Sequence, residues 1–263
     1  MEIEIDFTRS AQENAEIYFA RAKKDKLKAE GAEKAIKDLE SVLKENEAKK
    51  SEKKALKRVQ KKEWYEKFNW FFTSRGLLAI GGRSADQNEE LNSRYFGDND
   101  LFFHADIFGA SAVILKGGAE ASESDMEEAA QFGASFSKAW ENALSATDVY
   151  SLSRSQVTKS KNRGSLGKGS FLLSGERRWY KSVPLALAAF NAEGKDERPR
   201  ITPLTTCERL GIGHYVRISI GNAKKTDAAK FIAKVLGYGD LDYIVQHIPA
   251  GTFSLGEVRH KAV

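Results

Sequence analysis

One cysteine, four prolines, two methionines and no long apolar run define the 263-residue sequence first by what is scarce in it. With Cys207 alone there is no partner for an intramolecular disulfide and no cysteine-based zinc site, which fits a reducing compartment. No apolar stretch approaches the roughly 20 residues that a bilayer span requires. The start, Met1-Glu2-Ile3-Glu4-Ile5-Asp6, has neither the basic residues nor the apolar stretch of a secretion signal. A cytoplasmic location with no membrane partner is expected. His214, His247 and His260 are scattered, and no pair of histidines has zinc-ligand spacing, so neither a metal nor a cofactor is expected.

Hydrophobic residues make up 41% and charged residues 30% of the chain, a globular balance with enough apolar material for one or two cores. The net charge of +5 is unevenly spread: Arg21 to Lys62 holds sixteen Lys or Arg against eight Asp or Glu, about +8, and the remainder is slightly acidic. A basic arm on a near-neutral body suggests a nucleic-acid partner, although a solvated charged helix has the same composition.

From Thr8 to Phe68 there is no proline and one glycine, and Ala, Glu, Lys and Leu dominate, so this stretch reads as helix. Ser10 and Glu13 have capping-box spacing and place its start. Ala11, Ala15, Tyr18 and Ala22, then Ala32, Ala35, Ile36, Leu39, Val42 and Leu43, form an apolar stripe of coiled-coil width. The polar run Lys44 to Lys54 admits either a hairpin or one unbroken helix.

Composition changes at Trp64, where aromatics crowd into nine residues to Phe72 and a Ser74-Arg75-Gly76 turn leads into Leu77-Leu78-Ala79-Ile80. This predicts a strand, a turn and a strand, followed by a helix capped at Ser84 and Gln87 and ending near Phe96-Gly97. Strands are expected at Leu101 to His104, Ala110 to Lys116, Val149 to Ser153, Ser170 to Leu173 and Arg177 to Lys181, with a helix from Ser124 to about Ala146. Asn191 to Pro203 reads as a linker, and His214 to Ile220 with the helix Asp227 to Leu236 as a small β-α unit. The expected fold is α+β: a helical coiled-coil arm over 1–62, a mixed α/β domain over 63–190, and a linker with a C-terminal module over 191–263.

Gly81-Gly82-Arg83 lies between a strand and a capped helix, where free backbone donors, the helix dipole and a guanidinium suit a phosphate. A tight turn with a solvated arginine is the plainer alternative. His104 and Asp106, with Ser111 beyond the Gly109-Ala110 turn, place an imidazole, a carboxylate and a hydroxyl in one loop, fit for RNA contact, for a structural hub, or for acid and base work. Gln156, Lys159, Lys161 and Arg163, followed by Lys168, make a basic loop suited to a sugar-phosphate backbone, with Gln156 and Asn162 free to read bases, although a solvated loop has the same composition. Arg177-Arg178-Trp179-Tyr180 sets cations beside aromatics that could stack on bases, although Trp179 is expected in the core.

Trp64-Tyr65-Glu66-Lys67-Phe68, Gly81-Gly82-Arg83, Gln87-Asn88-Glu89, His104-Ala105-Asp106 with Gly109-Ala110, Ala139-Trp140, Gln156-Val157-Thr158-Lys159 and Gly169-Ser170-Phe171 together resemble the RNA-binding domain of the NFACT family. Ser10 to Glu16 with Tyr18-Phe19 is similar to the start of the second arm of that family's coiled coil. Tyr215-Val216-Arg217-Ile218, Lys224-Lys225 and Ile248-Pro249-Ala250-Gly251 are similar to its C-terminal module in archaeal and eukaryotic members. The loop departs from the family where Gly-Glu-Tyr-Leu appears as Gly164-Ser165-Leu166-Gly167.

The resemblance implies a role in ribosome-associated quality control: contact with tRNA, with the RNA and proteins of an obstructed large ribosomal subunit, and with a ubiquitin ligase or proteolytic partner. It implies RNA contact by Asn88 and Glu89 as well as by the glycine pair, Arg83, His104, Asp106, Ser111 and the basic loop. The family's tailing activity belongs to an N-terminal domain not found in this sequence, which therefore looks like a domain or one half of a split protein. No catalytic residue is expected. The alternatives are an RNA-processing enzyme using His104 and Asp106, and a protein-interaction scaffold on the ribosome.

Overall fold

The computed structural model describes residues 4–56, 63–158, 171–192 and 198–259. The chain divides into two compact units, Met1–Lys62 and Glu63–Val263.

The first unit is built on one helix, α1 (Ala11–Leu56), of 46 residues, or roughly 70 Å at 1.5 Å per residue. Lys44 to Lys54 continues as helix, which resolves the choice between hairpin and single helix. Its start is the expected capping box: Glu13 N–H donates to Ser10 Oγ at 3.2 Å, and Ser10 N–H to Glu13 Oε2 at 2.7 Å. Asn14 fixes the preceding residues, accepting from Asp6 N–H at 3.0 Å and donating to Asp6 O at 3.0 Å. Ile17, Phe19, Leu27, Ile36 and Leu39 along the helix are exposed.

In the second unit a 3-10 turn, Trp64–Lys67, leads into β1 (Asn69–Phe72) and β2 (Leu78–Gly81), the expected hairpin. Then come α2 (Ala85–Glu90), which widens into a π turn at Leu91–Tyr95, β3 (Leu101–Ala105) and β4 (Val113–Leu115). With β5 (Ala146–Ser153) and β8 (Arg178–Pro184) they form a six-stranded antiparallel sheet, ordered β1-β2-β4-β3-β5-β8. A two-rung ladder of β6 (Val157–Thr158) and β7 (Leu172–Leu173) stands beside it.

Strand alternation sends Phe71, Ala79, Phe103, Val113 and Val149 to one face and Trp70, Ile80, Phe102, Ile114 and Tyr150 to the other. The first face is covered by α3 (Glu123–Ser135). This helix begins two residues earlier than expected, because Ser122 makes the reciprocal box with Asp125. It also stops short of Ala146: Ser137 caps a separate turn, α4 (Lys138–Glu141), and β5 has begun by Ala146.

The expected linker is a correction of a different kind. Pro199–Pro203 is a strand, β10, paired antiparallel with β9 (Ala186–Asn191), so Asn191 to Pro203 lies inside a hairpin. Two prolines are tolerated there because β10 is the edge of a second sheet, ordered β10-β9-β11-β12. After the short helix α5 (Leu204–Arg209) come β11 (His214–Ala223), α6 (Lys225–Leu236), α7 (Leu241–His247) and β12 (Phe253–Arg259). Leu187, Ile201, Val216, Ile232 and Phe253 share one apolar cluster with Phe71, Phe103 and Trp140 of the first half. Trp140 Nε1–H donates to Thr252 O at 3.1 Å, and Arg198 pairs with buried Glu66 at 2.6 Å. The C-terminal segment is thereby part of the same packed body.

Candidate nucleic-acid interface

The face of the first sheet that carries Trp70 and Ile80 is roofed at one end by the 3-10 turn and α2. Toward β3, β5 and β8 it carries a lateral row. His104 lies opposite Tyr150, and Tyr150 opposite Trp179, in the register of adjacent strands. The Tyr150 hydroxyl and His104 Nδ1 are 3.3 Å apart, and the Tyr150 and Trp179 rings meet edge to face at 5.3 Å. His104 also stacks on Phe102, with ring planes 9° apart. Burial pushes the His104 imidazole below its ordinary value, and the nearby Arg177 charge adds to this, so the neutral form is favoured at neutral pH.

Trp179 is 38% exposed, not in the core as its neighbours suggested. The alternation of β8 explains the difference: Arg177, Trp179 and Lys181 share one face, and Tyr180 turns to the α3 side. Arg177 and Lys181 both stand over aromatic rings, Lys181 Nζ 4.3 Å from the Trp179 centroid. Tyr150 is buried, 4% exposed beneath Arg177, so the rings that the row offers at the surface are Trp179 and the half-buried His104.

The row borders a hollow of about 450 Å³ whose wall includes Arg83, Phe102, His104, Ser111 and Phe171. The loop between β3 and β4 closes one side, and its Phe108 is 99% exposed. Asp106 is exposed at the strand end, and among the described residues its carboxylate has no hydrogen-bond partner.

Gly81 and Gly82 are buried beneath this rim rather than open to it. A Cβ on Gly82 would stand 2.1 Å from Asn88 Oδ1, and one on Gly81 3.2 Å from both Phe132 and Val113. The pair is needed for close approach between strand and helix. Asn88 is spent in the same contact, its Oδ1 accepting from Ala112 N–H at 3.3 Å. Gln87 reaches Arg83 N–H at 2.9 Å, so only the Ser84 half of the expected capping box forms. Arg83 Nε donates to Asn69 Oδ1 at 3.0 Å and Nη2 to Phe68 O at 2.8 Å, leaving Nη1 uncommitted among the described residues. Burial lowers the pKa of this guanidinium. Glu89, half-buried on α2, accepts through its backbone oxygen from Ser93 Oγ at 2.8 Å.

Gln156 is not free to read bases. Its Oε1 accepts from Ser153 N–H at 2.9 Å, and its Nε2 donates to Glu176 O at 2.7 Å and to Ser174 O at 3.3 Å, pinning the base of the β6–β7 ladder. Lys159, Lys161, Arg163 and Lys168, with Asn162, lie outside the described residues. Thus Arg83, His104 and Ser111 meet around one hollow, Asp106 stands near it, and Gln156 does not join them. Sequence reasoning singled out Arg177 and Trp179 but passed over Tyr150 and Lys181. The signal for Lys181 was the alternation of cation and aromatic through Arg177 to Lys181.

Residues 67–175 match the NFACT protein RNA binding domain. Over 204 residues the chain is 34% identical to the archaeal Rqc2 homolog aRqcH of Methanocaldococcus jannaschii, which covers 76% of this chain and 30% of that protein. It is 33% identical over 192 residues to the ribosome quality control complex subunit NEMF homolog of Drosophila melanogaster, covering 70% of this chain and 19% of that one. The human ribosome quality control complex subunit NEMF is 32% identical over 176 residues, covering 64% and 16%. The chain spans less than a third of the length of these relatives. The glycine pair, the His104 strand end and the Gln156 turn all fall inside the matched stretch, and through it this chain belongs to the NFACT family.

Proposed function

We propose that this chain is an RNA-binding component of ribosome-associated quality control, contacting tRNA and the large ribosomal subunit. The observation that carries the reading is the row His104, Tyr150, Trp179 across three neighbouring strands, with Arg177 and Lys181 over its rings. Aromatic faces take bases irrespective of sequence and the cations take phosphates, so the row suits a structured RNA that presents unpaired bases. The names of the relatives, all of ribosome quality control proteins or an Rqc2 homolog, agree with it.

The helical arm pairs with a second helix as half of a coiled coil. Its support is the exposed pair Ile36 and Leu39 on α1, one turn apart and on the same face as Ala32 and Ala35. RNA cleavage by His104 and Asp106 finds less support, because the imidazole hydrogen-bonds Tyr150 and no nucleophile or carboxylate bonds to it among the described residues.

The test is binding of labelled tRNA by fluorescence anisotropy over a range of salt. Affinity should be present at low salt and fall linearly, on logarithmic axes, as salt rises. Absence of binding at low salt, or affinity indifferent to salt, would overturn the reading.

A further inference from the structure

Next to the aromatic hollow, and sharing Arg83, Gly109 and Ser111 with it, lies a second cavity of about 350 Å³. Its wall crosses from the region matched to the RNA-binding domain into the C-terminal segment: Arg83 and Lys138 on one side, Lys225 and Gln246 on the other. Ser111 and Ser137 add hydroxyls. The one carboxylate in the wall, Glu141, is already paired with Lys138 at 3.2 Å.

Among the described residues no carboxylate pairs with Arg83 or Lys225. The guanidinium is held by two neutral oxygens, those of Asn69 and Phe68. The Lys225 ammonium is pushed below its ordinary pKa by burial and then by the Arg83 charge. Arg83 at the exposed rim and the half-buried Lys225 repel each other, a cost that an anion bound between them removes. Lys225 is also the first residue of α6, whose N-terminus has no capping side chain and carries one acid in its first turn, Asp227, 3.6 Å from Lys230.

We propose that this cavity is a phosphate site, at which Arg83 and Lys225 together hold a phosphate group of bound RNA whose neighbouring base occupies the His104 hollow. The proposal rests on the RNA-binding reading above and extends the RNA contact to a residue outside the matched domain. A phosphodiester within the chain and a terminal phosphate share the required chemistry, and the shared wall at Ser111 and Arg83 places phosphate and base in adjoining compartments.

Four proteins decide it: the full chain, Lys225→Gln, Trp179→Leu, and Lys234→Gln as a control on an exposed lysine of the same helix. In tRNA titrations Lys225→Gln should bind about tenfold more weakly and lower the salt slope by about one, as loss of one phosphate contact does. Lys234→Gln should match the parent. A 5′-phosphorylated oligoribonucleotide binding more tightly than its 5′-hydroxyl counterpart, with the gap abolished in Lys225→Gln, assigns the site to a terminal phosphate. Equal binding of the two, both weakened by the variant, assigns it to a phosphodiester.

Thermal melts supply a readout that does not depend on RNA. Without phosphate, Lys225→Gln should melt at or above the parent, because it removes the repulsion. Inorganic phosphate, against chloride at equal ionic strength, should raise the Tm of the parent and not of the variant. If Lys225→Gln binds tRNA like the parent while Trp179→Leu is weakened, the phosphate site is wrong and the RNA reading stands. If no protein binds RNA but phosphate still stabilises only the parent, the cavity holds phosphate and the RNA reading fails. If phosphate stabilises parent and variant equally, the cavity is not a phosphate site.

Discussion

The Arg177 guanidinium carbon lies 4.4 Å from the centre of the Tyr150 ring and 5.8 Å from that of Trp179. One cation is thus held against two rings from adjacent strands, a contact worth about 0.5–1 kcal/mol at an exposed site. Held there, it meets a phosphate without first being ordered. Arg177→Ala should lower the salt slope of tRNA binding by about one. Trp179→Leu should cost roughly 1–3 kcal/mol of stacking while leaving the slope unchanged. Anisotropy titrations at several salt concentrations separate the two effects, and parent-like affinity in Trp179→Leu would remove the row from the account.

Gly82 serves packing before it serves any ligand. Adding a methyl group brings it 2.1 Å from Asn88 Oδ1 and 3.0 Å from the Asn88 backbone nitrogen. Gly82→Ala should therefore destabilise by roughly 1–3 kcal/mol, the usual cost of overpacking. Because the nearest clash is with one side chain, Gly82→Ala with Asn88→Ala should cost less than the sum of the single changes. Urea melts of the four proteins measure this coupling, and strict additivity would show that the backbone contact dominates.

Much of this architecture is written in local signals. Ser10 with Glu13 marks the start of α1, and the aromatic run followed by Ser74-Arg75-Gly76 marks the β1–β2 hairpin; both form as read. The misread elements depend on distant partners. Pro199 to Pro203 has the composition of a linker and becomes a strand only because Ala186–Asn191 offers it a sheet edge. Gln156 has the chemistry of a base reader, but the carbonyls of Ser174 and Glu176, brought beside it by the pairing of β6 with β7, take up its amide. Trp179 is the reverse case: neighbouring aromatics suggest core, and the parity of β8 turns it outward. The basic cavity was half legible: Arg83 had a phosphate signal in the sequence, but Lys225 joins it only through the packing of the C-terminal segment.

That packing also gives stability a pH dependence. His247 Nδ1 sits 2.7 Å from the Tyr243 carbonyl, the ring stacks on Tyr243, and burial with the charges of Arg83 and Arg198 pushes its pKa to about 4, against the opposing pull of Glu66. The folded value is below the unfolded one near 6.5, so the folded protein keeps a neutral imidazole where the unfolded chain takes up a proton. The contribution is fully present above about pH 6.5 and is lost as pH falls from there to about 4. At most it amounts to roughly 3 kcal/mol at 1.36 kcal/mol per pKa unit. Urea melts between pH 7 and pH 4 should show this loss in the parent and a flatter profile in His247→Gln. Parallel profiles would mean that other groups dominate.

Glu128 ties the two halves of the body together most directly. Its carboxylate, wholly buried on α3, accepts from Ser74 N–H at 2.7 Å and Ser74 Oγ at 2.6 Å in the β1–β2 turn. It also accepts from Thr206 Oγ1 at 3.0 Å and Arg209 Nη1 at 3.1 Å on α5. Four donors around one carboxylate offset its loss of water, whereas removing the carboxylate strands the buried Thr206 hydroxyl and leaves the half-buried Ser74 donors without it. Glu128→Ala should lose roughly 3–5 kcal/mol, as when one partner of a buried charge pair is deleted. Thr206→Val, which removes one hydrogen bond to a charged acceptor, should lose about 1.5–3 kcal/mol. The two substitutions should be strongly non-additive, because both act on the same network. Equilibrium unfolding in urea measures all three quantities, and a loss below about 1 kcal/mol for Glu128→Ala would mean that the apolar cluster alone holds the halves in register.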